Sequence, residues 1–264
     1  EPDFPLLDFY LELYSEQIAG YYDHETKEMS VVQDSGFNGP ERLTYAHEFT
    51  HVLQDQVYDI QNGLGMNEED CEDNSERCLG IQALLEGDAS LLELQWFDEY
   101  ATAKDRSQVM KYVTSTQSPV FDSAPPFMKK DFVFPYNQGY AFVEYLYAQG
   151  GWDAVNQAYA RPPISSEQIL HPALYPEEVP QEVSLTGIAA LLGADWTEID
   201  QGVIGEWYTF LILAHGFEPG GRIDTQTAQV AAIGWGGDTY AIYQHQEDQN
   251  LVMVSVTAWD SEND

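Results

Sequence analysis

Thr44-Tyr45-Ala46-His47-Glu48-Phe49-Thr50-His51-Val52-Leu53 is the stretch on which the reading of this chain turns. In a helix, residues four apart share a face and lie about 6 Å apart along the axis. His47 and His51 can therefore reach one zinc ion, each at roughly 2.0–2.1 Å. Glu48 directly follows the first histidine, where it can reach a water on the ion without being a ligand. The arrangement points to zinc-assisted hydrolysis of an amide bond. The flanks favour a helix over residues 41–58. Pro40 and Glu41 suit a first turn. Ala46, Phe49, Val52 and Leu53 are small or apolar, so the helix is expected to be buried behind its metal face.

A zinc site that does chemistry takes three protein ligands and keeps one position open. Residues 52–59 contain no histidine, so the third ligand is expected on a second helix. Glu86, in Ala83-Leu84-Leu85-Glu86-Gly87-Asp88-Ala89-Ser90, is the first candidate. Leu84, Leu85, Leu91, Leu92 and Leu94 give this segment a helical apolar stripe. A lone acid inside such a stripe is costly to bury unless it is paired or on a metal. Gly87 beside it would let two helices approach closely. Asp88 is the second candidate ligand. Asp55, one turn beyond His51, is a candidate to hold the other nitrogen of a bound histidine.

With both helices in view, the chain resembles the gluzincin branch of zinc metallopeptidases. Within that branch it is similar to secreted bacterial and archaeal proteins of the peptidase-MA-like group. The likeness takes in the His47 helix with Gln54-Asp55-Gln56, the Glu86 segment and Gln17-Ile18-Ala19-Gly20-Tyr21-Tyr22-Asp23. It continues through Phe134-Pro135-Tyr136-Asn137-Gln138-Gly139, residues 165–172, residues 234–238 and Trp259-Asp260-Ser261. The resemblance implies a zincin-like fold, one zinc ion on His47, His51 and Glu86, Glu48 as general base, and a peptide or protein substrate. It implies that the substrate lies along the strand before the motif helix, here Met29 to Val32. It also implies a downstream histidine or tyrosine that donates to the developing oxyanion. His171, in Gln168-Ile169-Leu170-His171-Pro172, is the first choice, and Tyr136, beside Phe132 and Phe134, the second. Thermolysin-like enzymes carry an aspartate four residues after the glutamate ligand, to hold a histidine. Ser90 stands at that place here, so the carboxylate must come from elsewhere.

Composition narrows the setting. The chain has 264 residues, with 45 acidic against 10 basic side chains and a net charge of −35. The acids are scattered, which reads as a solvated surface. Such self-repulsion is relieved in concentrated salt, so a halophilic source is expected. An acidic surface suited to basic substrates is the alternative. Nucleic acid is excluded as a partner, because phosphate binding needs basic patches. No apolar run approaches a membrane span. The chain begins at Glu1 with no signal peptide visible and reads as processed or trimmed. Cys71 and Cys78 suit a short disulfide loop, which would fit an extracellular or cell-surface setting. The acids around them lack the spacing of a calcium loop, so Ca2+ has no support there.

The expected fold class is α+β, mostly helical. Helices are expected over Phe4–Ile18, 79–101, Tyr136–Ala148, Trp152–Tyr159, Ile199–His215 and Thr225–Ala232. Gly20–Asp23 and Met29–Val32 read as a hairpin before the motif helix, and Asp238–His245 and Leu251–Trp259 as a second strand pair. Prolines 162, 163, 172, 176 and 180 mark an irregular connection. The expected domains are 1–180, carrying the catalysis, and 181–264, an α+β subdomain, with a soft boundary. Two other functions fit the sequence: a zinc-binding scaffold or cell-surface interaction module without catalysis, and a metal-free structural domain.

Overall fold

Helical periodicity carries most of the chain, and the strands are confined to two short antiparallel sheets. A computed structural model describes residues 5–33, 36–216 and 218–262. In chain order the elements are α1 (Leu6–Gln17), β1 (Gly20–Asp23), β2 (Glu28–Val31), α2 (Gly39–Tyr58), α3 (Glu68–Asp73) and α4 (Ser75–Glu99). There follow α5 (Ala103–Ser115), α6 (Pro119–Ser123), α7 (Pro126–Ala160), α8 (Ser166–Leu170) and α9 (Ile188–Leu192). The chain closes with β3 (Trp196–Gly202), α10 (Gly205–His215), α11 (Thr225–Ala232), β4 (Trp235–His245) and β5 (Leu251–Trp259). The fold is α+β and mostly helical. Phe4, the expected start of the first helix, lies outside the described residues.

Two compact units result. One takes the residues up to Leu64 together with Ala83–Tyr159; the other takes Gly65–Gln82 and everything from Ala160 onward. This division falls at Tyr159–Ala160 rather than at the expected soft boundary near 180, and it groups residues 65–82 with the C-terminal half. Glu76 joins that segment to the later one: its Oε1 accepts from the Ser166 N–H and hydroxyl, both at 2.6 Å.

In the first unit, Ala83, Leu84, Ala89, Phe142, Val143 and Val155 are fully buried. Gly87 permits a close helix approach, but the neighbour is α7 and not the motif helix. A Cβ on Gly87 would collide with the Gly139 carbonyl, and one on Gly139 with the carbonyl of Ala83. The expected break between two helices is present inside α7, at Gly150 and Gly151, where Gly151 has φ 62°. A Gly87→Ala variant should lose about 2 kcal/mol or more, since overpacking against rigid backbone costs that much. Thermal melts should show a drop of several degrees, and an unchanged melting temperature would remove this contact from the account.

In the second unit, β4 pairs with β3 on one side and β5 on the other, all antiparallel. The helix expected from Ile199 begins only at Gly205; Ile199 to Gly202 belong to β3. Gly205 at φ 76° turns the chain between the two elements. Asp238 caps α10 from outside its own sequence, accepting from Ile204 N–H at 2.8 Å and Gly205 N–H at 2.9 Å, and also from Trp235 Nε1–H. Cys71 and Cys78 are bonded. The acids near them form the short helix α3, with Asn67 accepting from Asp70 N–H at its start.

Buried carboxyls give this unit a pH signature. Burial, outweighing the two Ser166 hydrogen bonds, raises the Glu76 carboxyl to about 7. Burial, with the charges of Asp260, Glu206 and Glu178, raises Glu167 to about 8. An unfolded glutamate ionises near 4.3, so the unfolded chain releases these protons first as pH rises. Their stabilisation is full below that pH and is lost as pH climbs through about 7 and about 8. In urea unfolding from pH 5 to 9 at fixed high salt, the Glu76→Gln variant should lose less stability than the wild type. Equal losses would sink the assignment of Glu76.

Candidate metal centre

The motif helix is anchored at both ends. Asn38 and Glu41 form a reciprocal cap at its start, in which Glu41 Oε2 accepts from Asn38 N–H at 2.8 Å. Arg42 reaches Asp105 at the start of α5 at 3.1 Å. At the other end Asp59 adopts a left-handed conformation, φ 50°, which stops the helix. Asp55, the expected partner of a histidine, has a different task. It accepts from Tyr22 O–H at 2.7 Å, Lys27 Nζ at 2.6 Å and Ile60 N–H at 3.2 Å, tying the β1–β2 hairpin to α2. Phe49 and Leu53 are exposed, at 42% and 43%, on the side of α2 away from the histidines. The expected burial behind the metal face therefore fails at Phe49 and Leu53, although Ala46 is buried. Tyr45 stacks on Phe49 there, and Phe37 meets Tyr45 edge-on.

His47, His51 and Glu86 converge. His47 Nε2 lies 3.1 Å from Glu86 Oε2 and 3.2 Å from His51 Nε2, and His51 Nε2 lies 3.5 Å from Glu86 Oε2. Ligand atoms about 2.05 Å from a tetrahedral ion stand about 3.3 Å from one another, so the triangle fits one such ion. No second group of three such donors occurs among the described residues. Burial pulls the His47 imidazole down, yet the carboxylates of Glu86 and Glu93 outweigh it and raise it to about 10. The two imidazoles likewise outweigh burial at Glu86 and hold it at about 2.

The outward nitrogens are held as well. His47 Nδ1 lies 3.0 Å from Glu93 Oε2, and His51 Nδ1 lies 2.8 Å from Gln54 Oε1. Gln54 Nε2 donates to Asp88 Oδ2 at 2.9 Å and to the Leu85 carbonyl at 3.1 Å. Both of those are acceptors, so the amide oxygen must face His51, which then carries its proton on Nδ1 and turns a lone pair inward from Nε2. Tyr159 O–H also donates to Asp88, at 2.6 Å, and its ring stacks on Tyr58. Asp88 is therefore two bonds removed from the cluster rather than a ligand.

Glu48 is buried, which pushes its carboxyl up against the pull of the two imidazoles. It accepts no hydrogen bond among the described residues. It lines a cavity of about 510 Å3 together with the three clustered residues, Glu93, Tyr136 and Gly20 to Tyr22 of β1. The strand at this cavity is β1, not the expected β2. Gly20 packs over the metal side of α2, where a Cβ would stand 2.6 Å from Thr44 Cγ2 and 3.0 Å from Glu48 Cγ. Tyr136 lies with its ring centroid 6.3 Å from that of His47. Burial and the charges of Glu86 and Glu48 push its phenol well above the ordinary value, so it stays protonated. His171 is not among the residues lining this cavity. It belongs to the second unit, where its Nε2 lies 2.9 Å from Glu206 Oε1.

Glu93 and Gln54 escaped the sequence reading, although each carried a signal. Glu93 lies seven residues after Glu86 and Gln54 three after His51, so each shares the helix face of a ligand. Residues 192–264 match a family described as a domain of unknown function (DUF8575). The match spans β3 to β5 and includes none of the cluster. No curated protein matches the chain, and no solved structure does.

Removing a partner of a metal-bound histidine typically weakens metal affinity 10–100-fold. Glu93→Gln and Gln54→Leu should each do so in chelator competition, with the fold retained. Glu99→Gln, exposed further along α4, should not. Equal affinities in all three variants would dismiss the role given to Glu93 and Gln54.

Proposed function

We propose that this chain is a zinc-dependent peptidase of the gluzincin type. The observation that carries the reading is the convergence of His47, His51 and Glu86, with both imidazoles oriented from behind, beside an unbonded buried Glu48. The order of hairpin, motif helix and glutamate helix in the first unit supports a zincin-like fold. When bound, zinc would polarise a carbonyl and lower the pKa of a coordinated water toward ~7. Glu48 takes the proton of the attacking water and returns one to the leaving amine. Tyr136, which lines the cavity and is kept protonated, donates to the oxyanion. A peptide lies along β1, whose outer edge is unpaired in the two-stranded sheet. The bonded cysteines and the charge of −35 support an extracellular or cell-surface, high-salt setting. No described helix is long and apolar enough to cross a membrane.

The test is peptide cleavage in high salt. A chelator should abolish it and added zinc restore it. Glu48→Gln should lower kcat about 10²–10⁴-fold with zinc content unchanged. Tyr136→Phe should lower kcat about 10²-fold with little change in KM. A fully active Glu48→Gln protein would refute the mechanism. A wild type that binds one zinc and cleaves nothing in a broad peptide library would replace it with the scaffold reading.

A further inference from the structure

The motif helix has a second face. Tyr45, Phe49, Leu53 and Val57 stand four apart on α2 and form one ridge about 18 Å long, on the side away from His47 and His51. All four are exposed, Tyr45 at 41% and Val57 at 67%. Phe37, also exposed, meets Tyr45 edge-on and widens the ridge at its first end. Ala46, Val52 and Gln56 beside the ridge carry no charge. Apolar side chains exposed singly are ordinary, but a continuous strip of them marks a contact surface. The order of residues along the ridge says what covers it. Its first half is aromatic and its second half aliphatic. Turned end for end about a point midway between Phe49 and Leu53, the ridge sets Phe49 against Leu53 of another copy and Tyr45 against its Val57. The charges at the two ends match in the same way. Arg42, whose side chain is 46% exposed although it reaches Asp105, lies on this face one turn before Tyr45. Asp59, also exposed, follows the last turn. The same rotation brings each of these near the opposite charge of the other copy.

We infer that this face of α2 is an interface between two copies of this chain, related by a two-fold axis through the middle of the ridge, with the two helices antiparallel. A two-fold contact uses the same patch on both copies, so the patch must complement itself. This ridge does so in size and in charge. Ridges of residues four apart interlock when helices cross at about −50°, which keeps the whole ridge in contact with its counterpart. Two chains of net charge −35 repel each other, and they meet at lowest cost where a long strip carries no acid. Concentrated salt screens the remaining repulsion, so the pair belongs to that setting. In the pair the histidine side of each α2 points away from the contact, which leaves both metal clusters uncovered by it. The inference does not rest on the peptidase reading, since it needs neither zinc nor cleavage.

The experiment is sedimentation of the full chain in concentrated salt from about 1 to about 200 µM, a range suited to the small contact that one helix pair makes. Wild type should pass from the mass of one copy to that of two as concentration rises. Phe49→Glu and Leu53→Lys, both at exposed positions, should keep the mass of one copy throughout, with the melting temperature of wild type. Val57→Lys, at the most exposed position of the ridge, gives the same reading should either of them melt early. Leu191→Glu, exposed in the other unit, should still pair. Cross-linking tests the direction. The only native cysteines, Cys71 and Cys78, are bonded to each other and leave no competing thiol. Tyr45→Cys and Val57→Cys proteins, mixed under mild oxidation, should link to each other, and neither should link to itself, because like positions then stand about 18 Å apart. A wild type of single mass at every concentration would overturn the interface. So would pairing that survives the ridge substitutions. Tyr45→Cys linking to itself as readily as to Val57→Cys would overturn the antiparallel two-fold.

Discussion

Two imidazoles can share one ion only if both turn a lone pair inward, and that requires an acceptor behind each ring. Here the acceptors are Glu93 from α4 and Gln54 from α2 itself. The rest of the first unit follows from placing these two groups. Glu86 and Glu93 stand two turns apart on α4, so one helix face supplies both a candidate ligand and the partner of another candidate. The Gln54 amide is fixed by Leu85 and Asp88, again on α4. The α2–α4 pair is therefore a single device, joined by polar contacts at every turn that faces the cluster.

Other elements hold this pair in place. The absence of side chains at Gly87 and Gly139 lets α7 press onto α4. Both tyrosines come from α7, one reaching Asp88 and the other the cavity. On the opposite flank Asp55 binds the hairpin through Tyr22 and Lys27. That contact brings β1, rather than β2, over Glu48. A carboxylate one turn beyond His51 was available to hold that ring, yet the hairpin claims it.

Periodic features were legible in the sequence. The helix over 41–58, the Glu86 helix, the hairpin, the Gly150–Gly151 break and the last two strands all show as local patterns of apolar spacing or turn residues. Features that depend on contacts distant in sequence were not. β3 carries few apolar residues and is mostly exposed, so no alternation marks it. Phe49 and Leu53 look like core residues because hydrophobicity does not say which face of a helix lacks a neighbour. His171 sits in a loop that reads as functional, but its partner Glu206 is 35 positions away in another helix. Gln54 was passed over because an amide three residues beyond His51 becomes informative only when Asp88 and Leu85 fix its orientation.

In a chain with 45 acids, composition cannot say which carboxylates matter. Burial can, because a carboxylate taken from water must be repaid by hydrogen bonds or charge. Among the buried acids of the first unit, Glu41 caps α2, Asp55 ties down the hairpin, Asp88 fixes Gln54, and Asp105 accepts from Thr102 and Arg42. Each is compensated by protein donors, and each has a structural effect. Glu48 is equally buried and accepts no hydrogen bond among the described residues. Its desolvation has no structural return inside the fold. Its carboxyl lines the open cavity, and in the proposed mechanism the partner it lacks is the attacking water.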